Sequence, residues 1–185
     1  MKDILICGIP RSGKTTLAKM LCQKFNYNFY SVDTLVSTFQ KVYPQLDISH
    51  KDGLKTSELF APFLHEYLSR LQKFRTTRFV VEGYHMFPKD LSSFVLKDNF
   101  EIVYLGYPSL SPQQIVESIR KYDTDADWTK KKSDVELFEL AELFNQRNIL
   151  FQKDCKKYGF QFFDVGIDRE KTLAKIEKML TKDEK

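Results

Sequence analysis

Gly8-Ile9-Pro10-Arg11-Ser12-Gly13-Lys14-Thr15 lies between a short apolar run and a helical pattern, and its reading decides the architecture. It has the spacing G-x-x-x-x-G-K-[ST] at every fixed position. Glycine at 8 and 13 lets the backbone curl with its N–H groups turned inward, where side chains would obstruct. A helix opening near Lys14 adds the partial positive charge of its N-terminus. Such a curl suits a polyphosphate. Lys14 supplies a mobile cation for the β and γ phosphates, and the Thr15 hydroxyl is placed to ligate Mg²⁺. Gly8, Pro10, Arg11, Ser12, Gly13, Lys14, Thr15 and Thr16 are therefore expected to hold a nucleoside triphosphate, read as ATP with Mg²⁺. Arg11 and Ser12 are expected to shape the loop rather than react.

Working outward, Asp3–Cys7 reads as a continuous apolar strand, followed by a helix from Lys14 to about Phe25. Asn28–Val32 reads as a second strand, and a helix over Thr34–Val42 stops before Pro44. Glu58–Phe74 reads as a longer helix with Pro62 near its first turn. Arg78–Val81, Phe100–Leu105 and Phe160–Val165 are three more strands. Ser111-Pro112-Gln113-Gln114 and Ser133-Asp134-Val135-Glu136 are capping boxes that open two helices, the second broken only by Asn148. Asp168 caps a last helix. Five buried strands separated by helices predict an α/β fold, a parallel sheet covered on both faces. Ligands on such sheets bind at the carboxyl ends of the strands.

The chain has 185 residues, 42% hydrophobic and 29% charged, which predicts a single domain spanning 1–185. A net charge of +4, from 29 basic and 25 acidic residues, does not by itself indicate nucleic acid, since small phosphorylated ligands explain it equally well. Cys7, Cys22 and Cys155 are odd in number and lack metal spacing, so they read as reduced, buried hydrophobes in a cytoplasmic chain. His50, His65 and His85 show no metal-ligand spacing. Neither a signal peptide nor an apolar run long enough to span a membrane is visible. The expected partners are a nucleotide and a small-molecule acceptor, with no membrane or nucleic acid, in a monomer or homodimer.

With this loop and this order of elements, the whole chain resembles the P-loop small-molecule kinases, the superfamily of adenylate, shikimate and uridine kinases. The resemblance implies a three-layer fold with strand order 2-3-1-4-5, an acceptor-binding insertion over residues 44–76 and a mobile lid over residues 121–133. It places Asp33, directly after strand two, where such kinases often carry a carboxylate that orients a hydroxyl, takes its proton or holds water on Mg²⁺. A plain helix cap is the alternative for Asp33. Glu82-Gly83-Tyr84-His85 follows strand three. Glu82 is expected near Mg²⁺ or on acceptor hydroxyls, with a carboxylate neutralised by a nearby lysine as the alternative, and Gly83 is expected to let substrate approach the backbone. Asp33, Glu82, Gly83, Tyr84 and His85 form the expected acceptor site, with Tyr43, Phe60, Phe63 and Phe87 as further aromatics. Arg120 is the expected catalytic cation of the lid, ahead of Lys121 and Arg147, while the triplet Asp123, Asp125 and Asp127 reads as a solvated loop. Val165 and Gly166 are expected against adenine.

The sequence departs from adenylate kinases at two phosphate-gripping arginines, where Val36 and Met86 stand instead. That favours a hydroxyl acceptor over a nucleoside monophosphate, unless Arg70 and Arg75 replace the lost pair. The remaining alternatives are a non-catalytic ATP-binding regulator and an RNA-end kinase.

Overall fold

A computed structural model describes residues 2–93, 98–125 and 127–184; Ala126 of the lid and Lys185 of the charged tail thus lie outside the described residues. Its core is a five-stranded parallel sheet in the order β2-β3-β1-β4-β5, as the resemblance implied. The strands are β1 (Asp3–Gly8), β2 (Asn28–Ser31), β3 (Phe79–Gly83), β4 (Phe100–Gly106) and β5 (Gln161–Asp164). Strands β1 and β3 are buried along their whole length, because helices cover both faces of the sheet centre and water reaches neither. The edge strands are different. β2 and β5 are short and partly exposed, so the expectation of five fully buried strands holds only at the centre.

Helices α1 (Lys14–Phe25) and α7 (Arg169–Leu180) lie against each other, and α1 also packs on β1 to β3. Helix α6 (Asp134–Tyr158) packs on β4 and β5, with α5 (Pro112–Tyr122) and the short α4 (Pro88–Ser92) against it. Both capping boxes form as read. Asn148, the polar break in the α6 stripe, is fully buried and satisfied. Its Oδ1 accepts from the Tyr107 amide at 2.7 Å and its Nδ2 donates to the Phe144 carbonyl at 2.9 Å, tying α6 to the end of β4.

Two helices begin earlier than the hydrophobic pattern suggested. Helix α2 runs over Val32–Val42, so Val32 belongs to the helix and not to β2. Helix α3 runs over Gly53–Phe74, capped by Asp52, whose carboxylate accepts from the amides of Leu54 and Lys55. Pro62 therefore sits inside α3 rather than near its first turn. Lacking an N–H, it leaves the carbonyl of the exposed Glu58 to solvent.

Candidate active site

The loop between β1 and α1 is open and curled. Gly8 and Gly13 take φ of 129° and 93°, and Arg11 takes 66°. A Cβ on Gly8 would run into the Leu105 carbonyl, to which the Ile9 amide donates at 2.9 Å. Glycine is thus required where β1 leaves the sheet. Lys14 is buried, and its Nζ donates to the Ile9 carbonyl at 2.9 Å. Burial pulls its ammonium down, while the Glu82 and then the Asp33 carboxylate oppose that pull. Thr15 and Thr16 are exposed at the start of α1.

Two carboxylates converge beside Lys14. Glu82 is 5% exposed in β3. Burial pushes its carboxyl above the usual carboxylate range; Lys14 opposes that, as do the hydroxyls of Ser31 and Thr15 on its carboxylate. Its neighbour Gly83 does not open a path for substrate. The space where its Cβ would stand is filled by Val32, so Gly83 serves the close packing of α2 on β3. Asp33 is not the cap of α2, because the Ser31 hydroxyl accepts from the Thr34 amide in that role. The Asp33 carboxylate turns back to β3 instead. Its Oδ1 accepts from the Tyr84 amide at 3.1 Å and lies 3.0 Å from His85 Nδ1. Burial pushes the Asp33 carboxyl up, but the His85 bond, Lys14 and the Tyr84 amide outweigh it and hold it below its usual range.

His85 is 2% exposed and committed to Asp33, which places it behind the carboxylate. His50 stands edge-on to it with ring centroids 5.0 Å apart, and His50 Nε2 bonds the Ser37 hydroxyl at 2.8 Å. Spacing in the chain gave no hint of this pair, since the turn before α3 brings His50 over α2. Among the described residues no group of three or more His, Cys, Asp or Glu stands ready for a metal.

The lid differs from expectation in its charges. Arg120 donates to the Asp134 carboxylate at 2.7 Å and to the carbonyls of Lys130 and Lys132. It joins α5 to the start of α6 and lines none of the clefts below, so the cation expected on the phosphates is engaged elsewhere. Arg11 instead pairs with Asp123 and Asp127, tying the phosphate loop to the lid. The Asp123 side chain is 1% exposed, so the acidic triplet is not a freely solvated loop. Arg70 pairs with Glu66 on the surface, and Arg75 pairs with the buried Asp3 at the opposite end of the sheet. Neither replaces a phosphate-gripping arginine.

Three clefts meet around this loop. One of about 450 Å³ runs along Gly13, Lys14, Thr15 and Thr16 to Tyr122 and Arg169. A second, of about 500 Å³, continues over Arg11, Tyr107, Val165 and Gly166. Arg169 borders both, with its guanidinium 4.2 Å from the Tyr122 ring centroid. The sequence reading passed over it, because a lone arginine after a helix cap carries no signal. A third cleft, of about 770 Å³, opens on the other side of Pro10. It is lined by Asp33, Tyr84, His85, His50, Trp128 and Arg147 among others. Arg147 thus lines this cleft and neither of the other two. Of the other expected aromatics, Phe60 and Phe63 pack on Phe39 with Tyr43 beside it, and Phe87 packs on Phe151. Among the described residues no helix is long and apolar enough to cross a membrane.

Comparison with known proteins bears on the fold. The model of the sulfotransferase domain family matches residues 1–156. A shikimate kinase of Sulfurihydrogenibium sp. (strain YO3AOP1) is 23% identical over 189 residues, covering 98% of each chain. Among solved structures, shikimate kinase from Bacteroides thetaiotaomicron superposes with a TM-score of 0.61 at 19% identity, covering 98% of this chain and 97% of that one. The Acinetobacter baumannii shikimate kinase in complex with shikimate also scores 0.61, at 16% identity, covering 100% of this chain and 95% of that one. The fold is that of the P-loop small-molecule kinases.

Proposed function

The chain belongs to the sulfotransferase domain family of P-loop proteins, and from the groups gathered at its phosphate loop we propose that it is an ATP-dependent kinase passing the γ-phosphoryl group to a small hydroxyl-bearing metabolite. The observation that carries this reading is the convergence of Lys14, Glu82 and Asp33 at the strand ends, between the phosphate loop and the third cleft. Shikimate kinase relatives over nearly the full length support the same class of reaction.

ATP would lie with its base over Val165 and Gly166 and its phosphates along Gly13, Lys14, Thr15 and Thr16. Mg²⁺ fits the donor set, a hydroxyl and one buried carboxylate, because this ion keeps water and phosphate oxygens for its remaining positions. Thr15 and Glu82 would hold it, and it would supply neutralisation of phosphate charge. Lys14 exchanges its bond to the Ile9 carbonyl for phosphate oxygens and follows charge as it moves to the leaving group. Asp33 has one oxygen occupied by two donors, which leaves Oδ2 to meet the acceptor hydroxyl. That oxygen orients the hydroxyl and accepts its proton. Arg147, at the acceptor side, and Arg169, at the nucleotide side, are the cations in place of Arg120.

Sulfuryl transfer is the second reading, favoured by the family match. It gives the Thr15–Glu82 pair no task, because that pairing suits a metal-bridged polyphosphate. A donor panel separates the two. Protein is incubated with pooled alcohols and either Mg-ATP or a nucleotide sulfuryl donor, and products are read by mass. Phosphate esters with ADP, dependent on Mg²⁺, are expected. Sulfate esters formed without a divalent ion would replace this reading, and nucleoside diphosphates formed from monophosphates would move the acceptor to phosphate.

A further inference from the structure

The cleft beside Asp33 has two unlike linings. Its polar lining includes Asp33, His50, Lys51, Asp52 and Arg147; its apolar lining is Trp128, between α5 and α6, with Leu140, Leu143 and Phe144 of α6. Trp128 is 55% exposed and stands outside the hydrophobic core, and Leu143 is exposed beside it. Large apolar side chains gathered in a concavity and left facing water are unfavourable unless something covers them, and such walls mark ligand sites. A polyol placed here would turn part of its hydroxyls to the carbon surfaces of the leucines, Phe144 and the indole, where the indole N–H is the one polar group, and lose bonds to water. A flat apolar ring would cover the indole and the leucines instead.

We propose that the acceptor is an amphipathic alcohol, a hydroxyl carried on a ring-shaped apolar body, with the hydroxyl edge at Asp33 and the body on Trp128, Leu140, Leu143 and Phe144. This rests on the phosphoryl-transfer reading. The acceptor oxygen forms a bond to the γ-phosphorus of ATP. The bond from that phosphorus to the β–γ bridging oxygen breaks, its electron pair leaving on ADP, and the hydroxyl proton passes to Asp33 and then to solvent. The polar lining aims the oxygen, and the apolar lining selects what carries it.

Trp128 is the single tryptophan of the chain, so its emission reports on this wall alone. The test uses cyclohexylmethanol and 2-phenylethanol against glycerol and myo-inositol, with excitation at the tryptophan edge and separate assays of ADP and phosphate ester. Saturable change of emission with the ring alcohols and none with the polyols is expected. Ring-alcohol kcat/KM should exceed that of myo-inositol at least tenfold. Trp128→Ala should lower ring-alcohol kcat/KM about tenfold, with Trp128→Phe restoring most of it. Polyols phosphorylated as fast as the ring alcohols, or indifference to Trp128→Ala, would overturn the proposal while leaving the kinase reading standing. Failure of the kinase reading looks different: no ester and no ADP from any alcohol, in protein that still changes its emission with ring alcohols.

Discussion

At Asp33 the chemistry depends on which oxygen is left over. The Tyr84 amide and His85 Nδ1 both use Oδ1, and Ser31 takes the capping duty that would otherwise occupy the carboxylate. Asp33→Asn should lower kcat by about 10²–10⁴-fold, the range of positioned acid–base groups, with little change in ATP affinity. His85 then acts on the reaction through Asp33. Its bond favours the ionised carboxylate, so Asp33 stays charged to lower pH than a free aspartate. Removing the donor raises that limit, and the acid limb of kcat in His85→Phe should move to higher pH. His85→Asn keeps a donor near Nδ1 and should keep the limb close to the wild-type position. A profile that does not move in His85→Phe would place His85 in packing only. For the phosphate loop, Lys14→Ala should abolish measurable turnover, since Lys14 is the buried cation at the base of the curl.

At the scale of elements, the segment between α5 and α6, the expected lid, is held by charge. Arg11 of the phosphate loop grips Asp123 and Asp127, and the Thr124 amide and hydroxyl bond Asp127 at 2.7 and 2.9 Å. Burial raises the Asp127 carboxyl, but Arg11 and Thr124 outweigh it and bring it to about 2, below its ordinary 3.8. A carboxyl depressed on folding contributes its full stabilisation above the ordinary value and loses it as pH falls toward the folded one. The clasp should therefore hold at pH 5 and open between about pH 4 and 2. Hydrogen exchange of the amides from 123 to 132 measures this, and Asp123→Asn should speed their exchange at neutral pH. Equal protection in the variant would show that the lid is held by packing. The sequence made the capping boxes readable, and with them the starts of α5 and α6, because those signals are local. It hid the clasp, because Arg11 and Asp123 meet only when the strand order brings the β1 loop beside the end of α5. Asp52 was unread for a related reason: a cap is recognised by the apolar run behind it, and α3 opens with Gly53-Leu54-Lys55-Thr56.

Over the whole molecule, the buried pair β1 and β3 and the cap-to-helix alternation made the sheet legible before any coordinates, and with it the ends at which ligands gather. What remained hidden is side-chain company across elements: His50 over His85, Arg169 against Tyr122, Trp128 on the acceptor wall. These depend on crossovers that place distant residues together, and no spacing rule encodes them. Phe151 links the core to that site. It is fully buried, 4.5 Å from the Phe87 ring centroid and 6.1 Å from that of Tyr84. Phe151→Ala should cost about 3–5 kcal/mol in urea unfolding, and it should raise the acceptor KM by loosening Tyr84. An unchanged midpoint would mean that α6 repacks without loss.

The central claim is that the Gly8–Thr15 curl holds a magnesium-bound triphosphate for transfer, and titration calorimetry with Mg-ATP reads it most directly. One saturable binding event per chain is expected, weakened by removal of Mg²⁺ and lost in Lys14→Ala. No heat with Mg-ATP or Mg-GTP at any concentration tested, or binding indifferent to Lys14→Ala, would contradict it.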